Sequence, residues 1–264
     1  MKFQTALLIS TYNWPEALDL VLQSVLLQTH LPSKILIADD GSKEETKQLI
    51  KEFQLKSTVP IFHFYQEDKG FRKAKILNKA VAGSNVDYII QVDGDCIMHP
   101  NFVEDHLNLA EKGVYLYGSR VNILPNAVEK IFRMKKIYFN IFSNEIKNRT
   151  RTLHIPFLSR LYKSHEGISR KFRGCNVSFW RDDFIAINGY NEDFEGWGRE
   201  DSDLAIRLGN NHIKAKRLRY AGIAYHIYHK TNSKDHFEWN DKMQKETIAN
   251  RTVRILKGID QYLK

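Results

Sequence analysis

Two carboxylates separated by one glycine follow an apolar run in the stretch YIIQVDGDCIMHP, at Asp93, Gly94 and Asp95. Like charges this close cost free energy unless a cation or the hydrogen-bond donors of a ligand offset them. A pair that ends a buried strand therefore indicates a metal or ligand site. The same spacing recurs at Asp201 and Asp203. The position of each pair in the fold therefore has to show which of the two forms a metal or ligand site.

Strand and helix signals alternate over the first hundred residues. The apolar runs TALLIS, KILIAD, PIFHFY and DYIIQVD predict four strands, and EALDLVLQSVLLQ, EETKQLIKEF and KAKILNKAVA predict the helices between them. Short, continuously apolar strands that alternate with helices are typical of a parallel sheet covered on both faces. The predicted fold class is therefore α/β and Rossmann-like, with a mostly parallel central sheet flanked by helices.

Ligands of such sheets bind beyond the carboxyl ends of the strands. Three polar groups fall there, namely Thr11-Tyr12-Asn13, Asp39-Asp40 and Asp93-Gly94-Asp95. This shared position distinguishes the first aspartate pair from a chance occurrence. No G-x-G-x-x-G follows the first strand and no G-x-x-x-x-G-K-[ST] occurs in the chain, which argues against a dinucleotide oxidoreductase and a P-loop enzyme.

The bulk composition indicates an ordinary globular protein of the cytoplasm. The 264 residues are 42% hydrophobic and 27% charged, and no window approaches the roughly 18 apolar residues of a membrane span. The start, MKFQTALLIS, is predicted to be a first strand rather than a signal peptide. The two cysteines, Cys96 and Cys175, make no disulfide framework, which is typical of a reducing compartment.

The positive charge is concentrated in one segment. Residues 127–173 carry twelve lysines and arginines against three glutamates, and this excess equals the net charge of +9 of the whole chain. We expect the segment to be helical, and it is rich in aromatic residues. Apolar residues lie among its cations (Ile131, Phe132, Met134, Ile137, Tyr138, Phe139, Ile141 and Phe142). It is interpreted as an interfacial helix on anionic lipid, an acceptor groove or a subunit contact.

Clear strand and helix signals are found again after the basic segment. NVSFW predicts a strand, a helix begins near Glu200, KAKRLRYAGIAYHIYH predicts a strand pair, and the tail from Asp235 to Lys264 is predicted to be helical. The charge alone would also fit a non-catalytic protein that binds polyanions or nucleic acid. That alternative assigns no role to Asp93, Asp95, Glu200 or Asp201.

These motifs together resemble the family two inverting glycosyltransferases of the GT-A fold. The resemblance rests on Asp39-Asp40-Gly41-Ser42, on Asp93-Gly94-Asp95, and on the runs GCNVSFWRDDFIAINGY and FEGWGREDSDLAIRL. The last two are similar to the carboxyl half of galactosyltransferase-type and chondroitin-polymerase-like enzymes. The resemblance covers about residues 3 to 230. It implies one GT-A domain over residues 1–264, with a nucleotide-sugar-binding half (1–118), a basic helical insertion (119–173), an acceptor and catalytic half (174–232) and a helical tail (233–264).

The resemblance implies a metal-dependent enzyme that moves a sugar from a UDP-sugar to a saccharide acceptor, free or lipid-linked, in the synthesis of a bacterial surface polysaccharide. It implies no nucleic-acid partner, and a location in the cytoplasm or on the inner face of the cytoplasmic membrane. A nucleotidyltransferase shares the α/β core and an acidic metal site, but it would normally show a glycine-rich loop where this chain has STYNWPEAL. The donor sugar, the acceptor, the linkage and the oligomeric state stay open.

The resemblance also implies roles for single residues on the donor side. Asp39 would accept a hydrogen bond from the uracil ring, and Asp93 and Gly94 would lie near the ribose. Arg72 and Lys75 would face the diphosphate, although the family's Ala-Arg-Asn triplet is Ala74-Lys75-Ile76 here. The residues expected to flank the base and ribose are Thr11, Tyr12 and Asn13.

Metal and acceptor residues follow from the same resemblance. Asp95 with His226, His229 or both would hold Mn²⁺, or Mg²⁺, since a mixed histidine and carboxylate site suits Mn²⁺. Asp201 would be the general base that takes the acceptor's proton, and Glu200 would bind a sugar hydroxyl. The remaining acceptor contacts would come from Asn176, Trp197 and Gly198, with the indole stacked on a sugar face.

Overall fold

The computed structural model describes residues 3–167, 172–230 and 236–263. Its strands are β1 (Thr5–Thr11), β2 (Lys34–Asp39), β3 (Ile61–Tyr65), β4 (Tyr88–Asp93), β5 (Cys96–Met98), β6 (Val114–Tyr117), β7 (Arg120–Ile123), β8 (Ile146–Lys147), β9 (Asn176–Trp180), β10 (Lys214–Arg217) and β11 (Ala224–His226). Its α-helices are α1 (Pro15–Leu26), α2 (Glu44–Lys56), α3 (Lys73–Ala82), α4 (Phe102–Leu109), α5 (Val128–Met134), α6 (Pro156–Ser159), α7 (Arg181–Ala186), α8 (Glu200–Asn210) and α9 (Phe237–Ala249).

Seven strands form the main sheet in the order β10-β6-β9-β4-β1-β2-β3. The first four strands of the chain are parallel, as predicted, and β9 alone among the seven runs antiparallel to its neighbours β4 and β6. A second sheet has the order β5-β11-β7-β8. The mostly parallel α/β architecture expected from the sequence is confirmed.

Both faces of the main sheet are buried, which explains the continuous apolar runs. In β1, Leu7 and Ile9 pack into the core on one face, whereas Ala6 and Leu8 pack into the core on the other. Each such side chain is fully buried, and burying a leucine or isoleucine contributes about 1.5–3 kcal/mol. These contacts hold the strand ends, and the polar residues on them, in fixed positions.

A close backbone contact joins the ends of β1 and β4. The Gly94 N–H donates to the Ser10 carbonyl at 2.7 Å. A Cβ at position 94 would lie 2.8 Å from that same oxygen, so only glycine fits between the two aspartates. The turn therefore fixes Asp93 and Asp95 against the carboxyl end of β1.

The prediction of a helical basic insertion is wrong for most of its length. Helix α5 ends at Met134, Lys135 has φ +48°, and β8, two single turns and irregular chain follow. The reason is tertiary packing: Ile131 and Phe139 are buried against the second sheet, where the Tyr225 hydroxyl donates to the Phe139 carbonyl at 3.0 Å. Arg170 and Lys171, two of the twelve cations, lie outside the described residues.

Two further predictions need correction. The sequence around KAKRLRYAGIAYHIYH forms two strands, but they are not paired, because β10 joins the edge of the main sheet and β11 joins the second sheet. In the tail, helix α9 ends at Ala249 and an irregular stretch with a 3-10 turn at Ile259–Tyr262 follows. Residues 233–235 and 264 of the predicted tail lie outside the described residues. No helix in the described ranges is both long and apolar enough to cross a bilayer.

Candidate active site

A cavity of about 420 Å³ opens at the carboxyl edge of the main sheet. It is lined by residues that follow β1 and β4, by the residues that precede β9, and by the start of α8. Its size is within the range of small-molecule sites. The sequence-predicted residues in its lining are Thr11, Tyr12, Asp93, Gly94, Asp95, Trp197, Glu200, Asp201, His226 and His229.

Lys73, which the sequence analysis did not select, lies at the centre of the acidic group. Its Nζ donates to Asp93 Oδ1 at 2.7 Å, and the lysine side chain is only 13% exposed. Burial opposes its charge, but Asp93, Asp201 and Glu200 outweigh burial and raise the pKa of Lys73 well above its usual range. A permanent cation thus lies between the carboxylates of β4 and those of α8.

Asp201 combines a fixed oxygen with an unpartnered one. The Gly174 N–H donates to Asp201 Oδ2 at 3.0 Å, and Oδ1 is buried with no hydrogen-bond partner among the described residues. Burial and the charge of Asp93 raise the pKa of Asp201, while Lys73 opposes them. A carboxylate in the cavity wall that is held by one oxygen and has no partner for the other is suited to accept a proton.

Glu200, next to it, supports the turn that precedes α8. Its Oε2 accepts a hydrogen bond from the Gly198 N–H at 3.0 Å, and the same turn is held by Asn240 Nδ2, which donates to the Gly198 carbonyl at 3.0 Å. Burial and the charge of Asp201 raise the pKa of Glu200 to about 7. Trp197 projects from this turn into the cavity, with its ring 6.5 Å from that of Phe237.

Asp95, His226 and His229 form a three-residue cluster on the other side of Asp93. The two histidine Nε2 atoms lie 3.5 and 3.3 Å from Asp95 Oδ2, and the three ligand atoms are all within 4.8 Å of one another. Ligand atoms that bind one ion through bonds of about 2.1 Å lie at distances from one another that are comparable to these. The cluster arises because β11 pairs with β5, which directly follows Asp95.

The hydrogen bonds around His229 fit a metal ligand. Its Nδ1 lies 2.8 Å from the Lys230 carbonyl, and a carbonyl only accepts, so Nδ1 carries the proton. In the neutral ring Nε2 then presents its lone pair to the Asp95 carboxylate, and a cation between them offsets this repulsion. A backbone carbonyl that fixes the histidine tautomer in this way is a common feature of metal sites.

A second cavity adjoins the first on the side of β2. The two cavities share Tyr12, Asp40, Phe71 and Trp197. Asp40 accepts from the Arg72 N–H at 2.7 Å and from Gln66 Nε2 at 2.6 Å, and burial raises its pKa. Tyr12 is 52% exposed, so its ring is free to stack on a ligand. Arg72 lines this second cavity.

Five predicted residues do not line either cavity, and one of them is Gly198, whose N–H is bonded to Glu200. Asp39 is fully buried, and hydrogen bonds from His63 and Ser42 outweigh burial and lower its pKa. Asn176 is also fully buried; its Nδ2 donates to the Gly222 carbonyl at 2.7 Å, behind the sheet edge. The other two are Asn13, whose side chain accepts from the Lys43 N–H, and Lys75 on α3.

The residues that sequence reasoning missed come from distant parts of the chain. Lys73, Arg120 and Gly174 line the main cavity beside the predicted residues. Arg120 begins β7 and Gly174 precedes β9, and neither position carries a local signal. Lys73 did carry a local sequence signal, because it is the first residue of α3. The first residues of such helices lie at the sheet edge where ligands bind.

Comparison with known proteins identifies the family. Residues 6–164, more than half of the chain, match the profile described as Glycosyl transferase family 2. The chain belongs to glycosyltransferase family 2. The enzyme is therefore a glycosyltransferase, which decides against the nucleotidyltransferase and the non-catalytic polyanion-binding protein. Residues 160–230 match a second profile, described as N-terminal domain of galactosyltransferase, in agreement with the predicted type of carboxyl half.

Curated relatives of this glycosyltransferase are longer proteins. Chondroitin synthase of Escherichia coli is 24% identical over 249 residues, which cover 84% of this chain and 34% of that protein. Poly-beta-1,6-N-acetyl-D-glucosamine synthase of Staphylococcus aureus is 32% identical over 221 residues, which cover 82% of this chain and 48% of that one. The chain thus spans a third to a half of the length of these two relatives.

Solved structures confirm the GT-A fold of the glycosyltransferase. Residues 1–349 of S. aureus TarS in complex with UDP superpose with a TM-score of 0.64 at 12% identity, covering 98% of this chain and 68% of that one. The mannosyltransferase PcManGT from Pyrobaculum calidifontis, in complex with GDP-Man and Mn²⁺, gives a TM-score of 0.61 at 14% identity and covers 98% and 66%.

Proposed function

We propose that the enzyme transfers a sugar from a UDP-sugar to a saccharide acceptor with inversion at the anomeric carbon, in the synthesis of a bacterial surface polysaccharide. One observation carries the proposal. The main cavity brings a three-residue metal-type cluster and the Asp93–Lys73 pair together with Asp201, whose Oδ1 is buried and unpartnered among the described residues. Inverting transfer needs a site for the diphosphate, a base for the acceptor and no protein nucleophile.

The donor nucleotide is assigned to the second cavity and the adjoining part of the first. Tyr12 supplies a half-exposed ring for the base, with Thr11 beside it in the lining. Asp40 is the carboxylate better placed for the uracil N–H, since it lines both cavities whereas Asp39 lines neither. Arg72 and Lys73 offer cations on the side where the diphosphate would lie. TarS, a fold neighbour, has been solved with UDP and with UDP-GlcNAc, which supports a uridine donor.

A divalent cation is assigned to Asp95, His226 and His229, as Mn²⁺ or Mg²⁺. When bound, such an ion stabilises the charge that develops on a leaving diphosphate. The hydrogen bond from His229 Nδ1 to the Lys230 carbonyl leaves Nε2 to bind the ion. The Mn²⁺ complex of PcManGT also supports this assignment. Asp93, paired with Lys73, would remain free of the ion and contact the ribose.

The acceptor hydroxyl is assigned to the space between Trp197 and Asp201. As its oxygen bonds to the anomeric carbon, the bond from that carbon to the phosphate oxygen breaks and its electron pair leaves with UDP. Asp201 Oδ1 takes the hydroxyl proton, while the Gly174 N–H keeps the carboxylate oriented. Glu200 holds the turn that carries Trp197, and the indole forms an apolar wall for the sugar.

Membrane association is proposed in a different form from the predicted interfacial helix. Lys135 is paired with Asp19, and Lys136 Nζ lies 3.0 Å from Glu145 Oε1, which also pairs with Lys130, so these cations already have carboxylate partners within the protein. Met134, Tyr138 and Phe142 remain exposed, and association at the inner face of the cytoplasmic membrane would rest on them. Sedimentation with anionic vesicles, compared between wild type and Phe142→Ser, tests this; equal pelleting of the two would contradict it.

The function itself is tested by release of UDP from a panel of UDP-sugars, with GDP-mannose as the control nucleotide. We expect release from at least one UDP-sugar, stimulated by acceptor and by Mn²⁺. Asp201→Asn keeps the size of the side chain but cannot take a proton, so kcat should fall by about 10²- to 10⁴-fold. Asp182→Asn, an exposed aspartate of α7, is the matched control and should leave kcat unchanged.

A further inference from the structure

Three arginines lie on adjoining segments at the sheet edge, outside the lining of the main cavity. Arg217 ends β10, Arg219 follows it, and Arg151 belongs to the turn between β8 and α6. Arg151 Nη1 donates to the carbonyl of Arg120 at 2.9 Å, and Arg120 lines the main cavity. Burial and the charges of Arg217 and Arg219 lower the pKa of Arg151.

Backbone hydrogen bonds hold this cluster in place. Arg217 lies opposite Tyr117 in the parallel pairing of β10 with β6, and the Leu218 N–H donates to the Tyr117 carbonyl at 2.8 Å. The Tyr220 carbonyl accepts from the Ile155 N–H at 2.8 Å. The loop that carries Arg219 is therefore tied both to the main sheet and to the segment that carries Arg151.

The positive charge of the cluster is not balanced within the described part of the chain. No carboxylate there forms an ion pair with Arg151, Arg217 or Arg219, and all three are half-buried. Asp105 contacts the same loop, but its oxygens are occupied by His154 Nε2 at 2.9 Å and by the Gly222 N–H at 2.8 Å. Like charges in a partly desolvated place are costly unless an anion offsets them.

The order of the strands places the cluster relative to the reaction centre. Strands β4, β6 and β10 end at the same edge of the sheet, and β9 begins there. From the end of β4 at Asp93 to the end of β10 is three strand spacings, or about 14 Å. Arg120 lies between the two, since it lines the main cavity and its carbonyl accepts from Arg151 of the cluster. Tyr220, under the Arg219 guanidinium at 4.8 Å, adds a ring at the far end.

We propose that this arginine cluster binds an oxyanion, a carboxylate or a phosphate, carried by the acceptor on a unit beyond the one that is glycosylated. The inference rests on the proposed transferase function and narrows its acceptor to an anionic glycan. Guanidinium groups bind carboxylate and phosphate through paired hydrogen bonds. Such binding sets the register of the acceptor without contact with the reacting atoms.

Binding without any donor present tests the proposal separately from catalysis. The probes are a labelled oligosaccharide of alternating uronic acid and N-acetylhexosamine, the same compound with its carboxyls reduced to alcohols, a polyol-phosphate oligomer and its dephosphorylated form. We expect one charged probe to bind at least tenfold more tightly than its neutral counterpart, and that probe identifies the source of the oxyanion. The difference should shrink as salt rises.

Variants then locate the effect. Arg217→Ala with Arg219→Ala should abolish the preference for the charged probe, whereas Arg133→Ala removes an exposed arginine of α5 and should keep it. Equal binding of charged and neutral probes by the wild type would overturn the proposal even if the double variant failed to fold. So would a single-stranded oligonucleotide of equal charge that binds as tightly, or a folded double variant that keeps the preference. Failure of UDP release from every UDP-sugar would instead reject the transferase function.

Discussion

The backbone of Gly174 and the carboxylate of Asp201 are in direct contact: the N–H donates to Oδ2 at 3.0 Å, and a Cβ at position 174 would lie 2.0 Å from Oδ1. The contact joins a residue two positions before β9 to the first turn of α8, and the two residues are 27 positions apart in sequence. It orients Oδ2 and leaves Oδ1 without a hydrogen-bond partner among the described residues. The absence of a side chain at position 174 is thus a condition for the geometry of the proposed base.

Gly174→Ala should displace the Asp201 carboxylate while most of the fold remains. A shift of about 1 Å at a reacting group costs roughly 10²-fold in rate, so we expect kcat to fall by about that factor with little change in UDP affinity. Gly209→Ala is the control, because Gly209 lies on α8, the helix that begins with Glu200 and Asp201. A Cβ at position 209 meets no atom within 4 Å. Comparable kcat values for the two variants would count against a positioning role for Gly174.

Lys73 and Lys75 make a matched pair two residues apart on α3. Lys73 contacts Asp93 and lines the main cavity, whereas Lys75 lines neither cavity. Lys73→Met should raise the donor KM at least tenfold, because the variant loses a diphosphate-side cation and leaves Asp93 unpaired. Lys75→Met should behave as wild type in initial-rate assays. If Lys75→Met had the larger effect, the prediction from the family triplet would be preferred to the geometry.

Metal binding can be measured directly, before any assay of activity. His226→Ala, His229→Ala and Asp95→Ala should each weaken Mn²⁺ binding by at least tenfold in calorimetric titrations of the metal-free protein, because each removes one of the three proposed ligands. His30→Ala, an exposed histidine, should bind Mn²⁺ as the wild type does. Full UDP release in EDTA, or unchanged Mn²⁺ affinity in all three variants, would contradict the assignment.

Glu200 should make stability depend on pH. Its pKa of about 7 in the folded protein exceeds the ordinary value of 4.5, so between these values the folded state binds more protons than the unfolded state. The free energy of unfolding should therefore fall as pH rises from about 4.5 to 7, by on the order of 2 kcal/mol. Above pH 7 this contribution levels off.

Thermal unfolding at pH 5 and pH 8 checks the sign of this effect. Glu200→Gln has no charge to bury, so its Tm relative to wild type should be higher at pH 8 than at pH 5. Glu238→Gln, an exposed glutamate of α9, should show the same Tm difference from wild type at both values. A Glu200→Gln variant whose relative Tm does not change with pH would exclude a raised carboxyl pKa.

The donor half was predictable because its signals are local. Strands such as β1 and β4 are short and continuously apolar, since both faces of the sheet are covered, and their ends carry the polar residues. The basic segment was not predictable in this way. Its apolar residues have no strong period, and burial of Ile131 and Phe139 against Tyr225 determines its course. Edge strand β10, with two lysines and an arginine among its four residues, has a polar sequence that gave no indication of its true partner β6.

Within the site, the sequence predicted residue types better than orientations. The choice between Asp39 and Asp40 depends on which side chain turns inward to His63, and neighbouring residues on a strand point to opposite faces. Asn176, the first residue of β9, bonds to His106 and to the Gly222 carbonyl and does not line the cavity, so its role as an acceptor contact stays a prediction. Contacts between residues so distant in sequence leave no local pattern.

The position of β4 in the main sheet has a consequence for how such enzymes diversify. On one side of it lie β1, β2 and β3, which carry the residues proposed for the nucleotide; on the other lie β9, β6 and β10, which lead to the arginine cluster. The two groups of strands also come from largely separate stretches of the chain, before and after residue 100. Mutations that alter what receives the sugar can therefore accumulate in the second stretch while the donor is kept, so that new linkages can evolve from a single inherited donor site.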